Sequence, residues 1–178
     1  MRNGTRGGVP AAGMTGLALL LVLLLGATAG SAPAMAAELD NAEAVRGLET
    51  VRAVYDVRKS NPKALAAYLK AIVGNHENLL KEGVKPDLRM VFIAESVKFI
   101  TTDPAPEIAL EHEAVLKDIA AIIAELDRLG VKMEVCSGAT RAYGVDNDTL
   151  LPQLKAVRSG FIAIMGYQNQ GYALVPVY

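Results

Sequence analysis

The chain has 178 residues, 52% of them hydrophobic, with a formal net charge of −1, one cysteine and no tryptophan. This length suits one ordinary domain after any leader, and there is no block of basic residues to attract nucleic acid or an anionic membrane. A single cysteine excludes an intrachain disulfide, so the thiol is buried and inert, paired with another chain, or reactive.

Residues 1–36 read as a secretory signal peptide. Arg2 and Arg6 supply a positive start, Gly16 to Ala29 is an unbroken apolar run, and Ala34-Met35-Ala36 offers a small-x-small cleavage site. The apolar run is about 14 residues, short of the roughly 20 needed to span a bilayer. The arginines are not adjacent, so a twin-arginine signal is not indicated. Cleavage after Ala36 leaves 142 residues with 16 basic and 19 acidic side chains, a formal charge of −3. The expected location is periplasmic or secreted, with no membrane association once the signal is removed.

Residues 37–49 are polar and read as a flexible lead-in; 50–178 form a single domain. Thr50 to Val57 is rich in β-branched residues and reads as a strand. Asn61 and Pro62 are suited to cap and open a helix. In it Leu65, Tyr68, Leu69, Ile72, His76, Leu79 and Leu80 recur at steps of three and four, and Gly83 ends it. Asp87 to Ala94 reads as a strand buried on both faces, and Glu95 to Pro106 as irregular. Glu107 to Leu129 is the clearest helix, with Ile108, Val115, Ile119, Ile122, Ile123, Leu126 and Leu129 as its stripe. Val131 to Cys136 is a third strand and Ser137 to Tyr143 a helical turn. Residues 144–148 form a loop, and a strand pair falls around Ala156-Val157. Ser159 caps a helix through Gln170 with Phe161, Ile162, Ile164 and Met165 inside. Tyr172 to Val177 is a last strand, placed at an edge or cut short by Pro176. Strands alternating with helices over short connections predict an α/β fold, a mostly parallel four- to five-stranded sheet with helices on both faces.

Ligands of open α/β sheets bind outside the carboxyl ends of the strands, where Cys136 falls. Alternation puts Cys136 on the face of Lys132 and Glu134, which argues against an inert buried thiol. The helix start at Ser137-Gly138, with Arg141 one turn on, favours the thiolate. Glu95 and Ser96, after the second strand, are candidates to line the same pocket; plain loop residues are the equal alternative. His76 reads as a satisfied core or interface histidine. His112, between Glu111 and Glu113, reads as part of a solvated face. The dispersed His and Cys residues make no metal motif, and no cofactor is called for. Asp146-Asn147-Asp148 lacks the glycine and glutamate of a calcium loop and reads as a turn.

The segment GVKMEVCSGATRAYGV over 130–145 resembles the DsrE/DsrF-like family, as do Val157-Arg158-Ser159-Gly160, the closing Gly171-Tyr172-Ala173 and Asn78-Leu79-Leu80. The resemblance covers about residues 50–177. It implies a five-stranded α/β fold that forms homo- or hetero-oligomers. In the family's sulfur-relay members, the cysteine at the position of Cys136 takes sulfur as a persulfide and passes it to a partner protein. This chain departs from those members in its export signal, and in having Ala94-Glu95-Ser96 where glycine often follows the second strand. The resemblance thus points to sulfur handling at Cys136, with a donor or acceptor protein as partner, while the strand-end and helix-start arguments place Glu95, Ser96, Ser137, Gly138 and Arg141 as candidates around the thiol. A non-catalytic oligomeric module and a small-ligand site without covalent chemistry stand as alternatives.

Overall fold

The computed structural model describes residues 39–178, and residues 1–36, read above as a signal peptide, lie outside them. Leu39–Tyr178 forms one compact unit with its own continuous core. Five strands, β1 (Thr50–Val57), β2 (Lys85–Phe92), β3 (Lys132–Cys136), β4 (Lys155–Val157) and β5 (Ala173–Val177), make a wholly parallel sheet in the order β4-β3-β2-β1-β5. Among the described residues the α-helices are α1 (Pro62–Lys81), α2 (Pro106–Arg128), α3 (Ser137–Ala142) and α4 (Gly160–Asn169). None of these helices of the described residues is long and apolar enough to cross a membrane.

The local signals operate as expected from residue chemistry. The Asn61 side chain accepts a hydrogen bond from the Ala64 N–H at 3.0 Å, with Pro62 in the first turn. Gly83 follows α1 at φ +76°, a left-handed conformation that only glycine adopts without strain. β2 begins two residues earlier than expected and stops at Phe92, because the chain turns into a 3₁₀ helix over Ala94–Phe99 within the segment read as irregular. α2 is broken in its first half, where His112 leaves helical geometry at φ −125°.

Topology decides which face each helix covers. The path from β1 to β4 moves one way across the sheet, and α4 then carries the chain back past β1 to β5. Right-handed crossovers in opposite directions lie on opposite faces. α1 and α2 therefore share one face, above Ala53, Tyr55, Val57, Leu88, Met90, Phe92, Met133 and Val135, all buried. The Asn75 amide of α1 donates to the Tyr55 hydroxyl at 2.7 Å across that contact. Among the described residues the other face has only α4, ten residues long.

That single short helix corrects an expectation. Of the residues read as buried in it, Ile164 is buried, but Phe161, Ile162 and Met165 are 57%, 62% and 55% exposed. A helix lying on a one-sided surface buries one stripe, however apolar the remainder. Tyr68 and Leu80, on the margins of the α1 stripe, are also exposed. His76 is buried as expected, yet its Nδ1 has no hydrogen-bond partner, so it is not the satisfied histidine read from the sequence.

Candidate functional site

The carboxyl ends of the strands meet at Cys136. In register, Val57 stands beside Phe92 and Val177, and Cys136 beside Val157. The residues just beyond these positions are Arg58, Ile93, Ser137, Arg158 and Tyr178. Lys132, Glu134 and Cys136 do share a face, as alternation requires. The inference drawn from that face is corrected, however: Cys136 is only 5% exposed. The cause is α4, which starts directly on top of it. A Cβ at Gly160 would stand 3.0 Å from the Cys136 Cβ and 2.7 Å from Ile93 Cδ1. Only glycine allows the helix to approach this closely.

The covering over the sulfur is thin on one side. Gly138 is exposed, and a Cβ there would lie 3.5 Å from Cys136 Sγ. Glycine at this position keeps the space beside the thiol open. Cys136 is itself the residue preceding α3, without a side-chain capping bond. Ser137 accepts from Asn147 Nδ2 at 3.3 Å, and Thr140 donates to Asn147 Oδ1 at 2.7 Å, which ties α3 to the Asp146-Asn147-Asp148 turn. That turn is a 3₁₀ helix capped by Asp146, whose carboxylate accepts from the Asp148 N–H at 3.0 Å.

Arg58, just beyond the end of β1, is a positive group at the same end of the sheet as Cys136 that the sequence reading did not name. Arg141 is exposed on α3 and forms no ion pair or hydrogen bond among the described residues. Arg58 Nε donates to both carboxylate oxygens of the buried Asp56 at 2.9 Å. Its guanidinium lies against two aromatic rings, 5.3 Å from the centroid of Phe161 and 5.8 Å from that of Tyr178. The Asp56 hydrogen bond raises the pKa of Arg58 above its ordinary value. Burial opposes this, and the charges of Asp56, Tyr178 and Cys136 add to it. Asp56 engages the Nε edge of the guanidinium, which leaves the two terminal nitrogens to face other groups. Sequence reading missed Arg58 because it lies 78 positions before Cys136 and only the parallel sheet brings them together. The available signal was that a residue immediately after a strand lies at the ligand-binding end.

The remaining candidates separate. Ser96 does not line an open cleft: it is fully buried, and its hydroxyl donates toward the Val57 carbonyl at 3.0 Å and the Ile93 carbonyl at 2.8 Å. It ties the ends of β1 and β2 together. Glu95 is partly exposed and paired with Lys98 at 2.7 Å. His112 approaches Glu111 at 3.7 Å, and among the described residues no group of three His, Cys, Asp or Glu side chains is placed to hold a metal ion.

The lower half of the same sheet face, below α4, is polar. Arg89 pairs with Asp87 at 3.0 Å and lies 5.4 Å from the Tyr172 ring, whose hydroxyl donates to Asp87 at 2.8 Å. Burial raises the pKa of both Tyr167 and Tyr172, with nearby carboxylates adding to the rise. This network supports the foot of α4 and lies away from Cys136.

With the strand-end cysteine, its short helix and the glycine start of α4 established, comparison with known proteins is decisive for the family. The DsrE/DsrF-like family model matches residues 52–177. The chain belongs to the DsrE/DsrF-like family. Among solved structures it is similar to MTH1491 from Methanobacterium thermoautotrophicum, described as a protein of unknown function. Identity is 22%, covering 71% of this chain and 98% of that one, with a TM-score of 0.54. It is similar also to the ychN protein from E. coli, at 14% identity, 72% and 100% coverage and a TM-score of 0.54. At these identities the likeness is one of fold. The search of curated proteins returns no match. In this DsrE-like chain, Ala94 holds a left-handed φ of +56°. That is a conformation glycine adopts more readily than alanine.

Proposed function

We propose that this DsrE-like protein handles sulfur through Cys136, with Arg58 as the counter-charge of the thiolate. Family membership supports the sulfur chemistry in general, since the family is associated with sulfur relay. The observation that supports this site is Arg58, bonded to the buried Asp56 at the same carboxyl end of the parallel sheet as Cys136. In the proposed step the Cys136 thiolate attacks the outer sulfur of a persulfide donor, R–S–S–H. A new S–S bond forms at Cys136, the donor's S–S bond breaks, and the donor leaves as R–S⁻ with the electron pair. Cys136 is then a persulfide, Cys136–S–S–H, ready for transfer to an acceptor. Gly138 gives access to Sγ, and Ser137 with its Asn147 contact fixes the start of α3. The leader read in residues 1–36 sets this chemistry in the periplasm or outside the cell.

The test is mass spectrometry of the protein after exposure to glutathione persulfide. A gain of one sulfur atom on Cys136 is expected, absent in Cys136→Ser and slower in Arg58→Gln. The reading is overturned if Cys136 stays unmodified and its alkylation titrates at the free-thiol value of about 8.5. The 5% exposure of Cys136 favours one other reading, a thiol that only packs against α4. That reading predicts the same negative result together with loss of stability in Cys136→Ser.

A further inference from the structure

Ligands of an open α/β sheet gather where the strand order reverses. In the order β4-β3-β2-β1-β5 that point lies between β1 and β5. The residues that follow these two strands are Arg58 and Tyr178. Continuing the register by one residue sets Arg58, Ile93 and Cys136 on one level of the sheet, all on the face that α4 covers. Arg58 and Cys136 are then two strand spacings apart, about 10 Å between Cα atoms.

The surroundings of Arg58 fix its guanidinium and leave one edge of it open. Asp56, buried beneath it, accepts from Nε through both carboxylate oxygens at 2.9 Å. The rings of Phe161 and Tyr178, both more than half exposed, lie 5.3 Å and 5.8 Å from the guanidinium carbon. These contacts set the plane of the fork without using its two terminal nitrogens, which have no hydrogen-bond partner among the described residues. The side chain keeps 31% exposure, so a ligand can reach it. A planar fork held in this way recognises a planar oxyanion through two parallel N–H···O bonds. The charge suits a monoanion. Asp56 already balances Arg58, and the next cation in the chain, Lys59, is drawn to the Tyr68 ring at 4.2 Å. A phosphate dianion needs more positive charge than this one fork supplies.

We propose that Arg58 determines specificity by holding the carboxylate of a small, carboxylate-bearing persulfide whose outer sulfur meets Cys136. This rests on the sulfur reading of Cys136 given above and adds the class of donor. The transfer is the exchange already described, with the carboxylate unchanged on the departing R–S⁻. The two roles of Arg58 differ in consequence. A counter-charge to the thiolate speeds every donor alike. A fork that binds the donor's carboxylate speeds only the donor that has one.

The test is a ratio of rates. Cys136 is alkylated with iodoacetate and with iodoacetamide, and is persulfidated by the persulfides of N-acetylcysteine and of N-acetylcysteine amide, all read by mass spectrometry at low salt. In each alkylation the thiolate forms a C–S bond and iodide leaves, so thiolate fraction and access to the sulfur cancel in the ratio. Arg58→Gln should lower both carboxylate-to-amide ratios about 10-fold. That variant leaves Asp56 buried without its partner. The double variant Asp56→Asn with Arg58→Gln is therefore measured beside it, and should show the same loss with a native far-UV circular dichroism spectrum. Arg58→Lys keeps the charge without the fork and should recover little of the ratio. Equal ratios in the parent and Arg58→Gln overturn the proposal, as does full recovery by Arg58→Lys. So does a ratio that falls with Arg141→Gln in place of Arg58→Gln. Persulfidation by both donors with no carboxylate preference overturns this proposal and leaves the sulfur reading standing. A carboxylate preference in alkylation, with no persulfide gained from either donor, upholds the carboxylate site and overturns the sulfur reading.

Discussion

Gly160→Ala tests whether α4 is set against Cys136 by a close approach that only glycine permits. The new methyl would enter at 2.7 Å from Ile93 Cδ1, 2.8 Å from Ile93 Cγ1 and 3.0 Å from Cys136 Cβ, all below ordinary contact. Ile93 and Cys136 are both buried, so neither side chain can swing into solvent. Overpacking of this kind costs about 1–3 kcal/mol. The gain in helix propensity offsets at most about 1 kcal/mol, and less at the first residue of a helix. The expected net loss is about 1–2 kcal/mol, or about 3–8 °C in melting temperature. Urea unfolding followed by far-UV circular dichroism suits a protein without tryptophan, and the m-value should be unchanged. A double-mutant cycle identifies the cause. Ile93→Ala alone should cost about 2–5 kcal/mol, but Gly160→Ala added to it should cost under about 1 kcal/mol, because the methyl enters the space that Ile93 vacates. If the two changes add within about 0.5 kcal/mol, the clash with Ile93 is not what keeps residue 160 glycine.

Ala94 at φ +56° carries the strain of an L-residue in the left-handed region, about 1–2 kcal/mol. Ala94→Gly should relieve it, and after the entropy of the freer unfolded chain the net gain should be up to about 1 kcal/mol; Ala94→Val should destabilise, and a stabilising valine in the same urea assay would refute the strain argument. A second expectation concerns alkaline pH. Burial raises the pKa of Tyr55, Tyr167 and Tyr172 above the ordinary tyrosine value of 10.0. The folded protein therefore keeps these protons to higher pH than the unfolded chain does. Their contribution to stability is complete below pH 10 and is lost as the pH rises through the folded values. Tyr55→Phe should lose about 1 kcal/mol at neutral pH with the Asn75 bond and show a shallower fall above pH 10. Unfolding free energies measured between pH 8 and 11 with the same slope in both proteins would contradict this.

Much of the fold was legible because its signals are local. The apolar spacing of α1 and α2, the Asn61-Pro62 start and the glycines at 83 and 130 each act within a few residues, so they survive without knowledge of neighbours. β1 fell where its β-branched residues lie, and Pro176 marked β5 as an edge. The errors came where a side chain's environment is supplied from elsewhere in the chain. Ser96 was offered equally as a pocket residue or a plain loop residue, because its position after β2 was visible and its acceptors, at Val57 and Ile93, were not. Arg58 went unnamed because it lies far from Cys136 in the chain, and only the parallel sheet sets both at one end.

The amino-acid sequence by itself determined the elements, their alternation, the parallel α/β class and a cysteine at the end of the third strand. Those depend on periodicity and on backbone preferences, which each segment carries with it. Only the tertiary structure decided what surrounds that cysteine. The reversal of direction at β5 sends α4 to the far face, where Gly160 buries Cys136. The β1–β2–β3 register brings Arg58 to the same end of the sheet. Among the described residues it also leaves one side of α4 exposed, a consequence of covering that face with one ten-residue helix that no local pattern in Phe161, Ile162 and Met165 expresses.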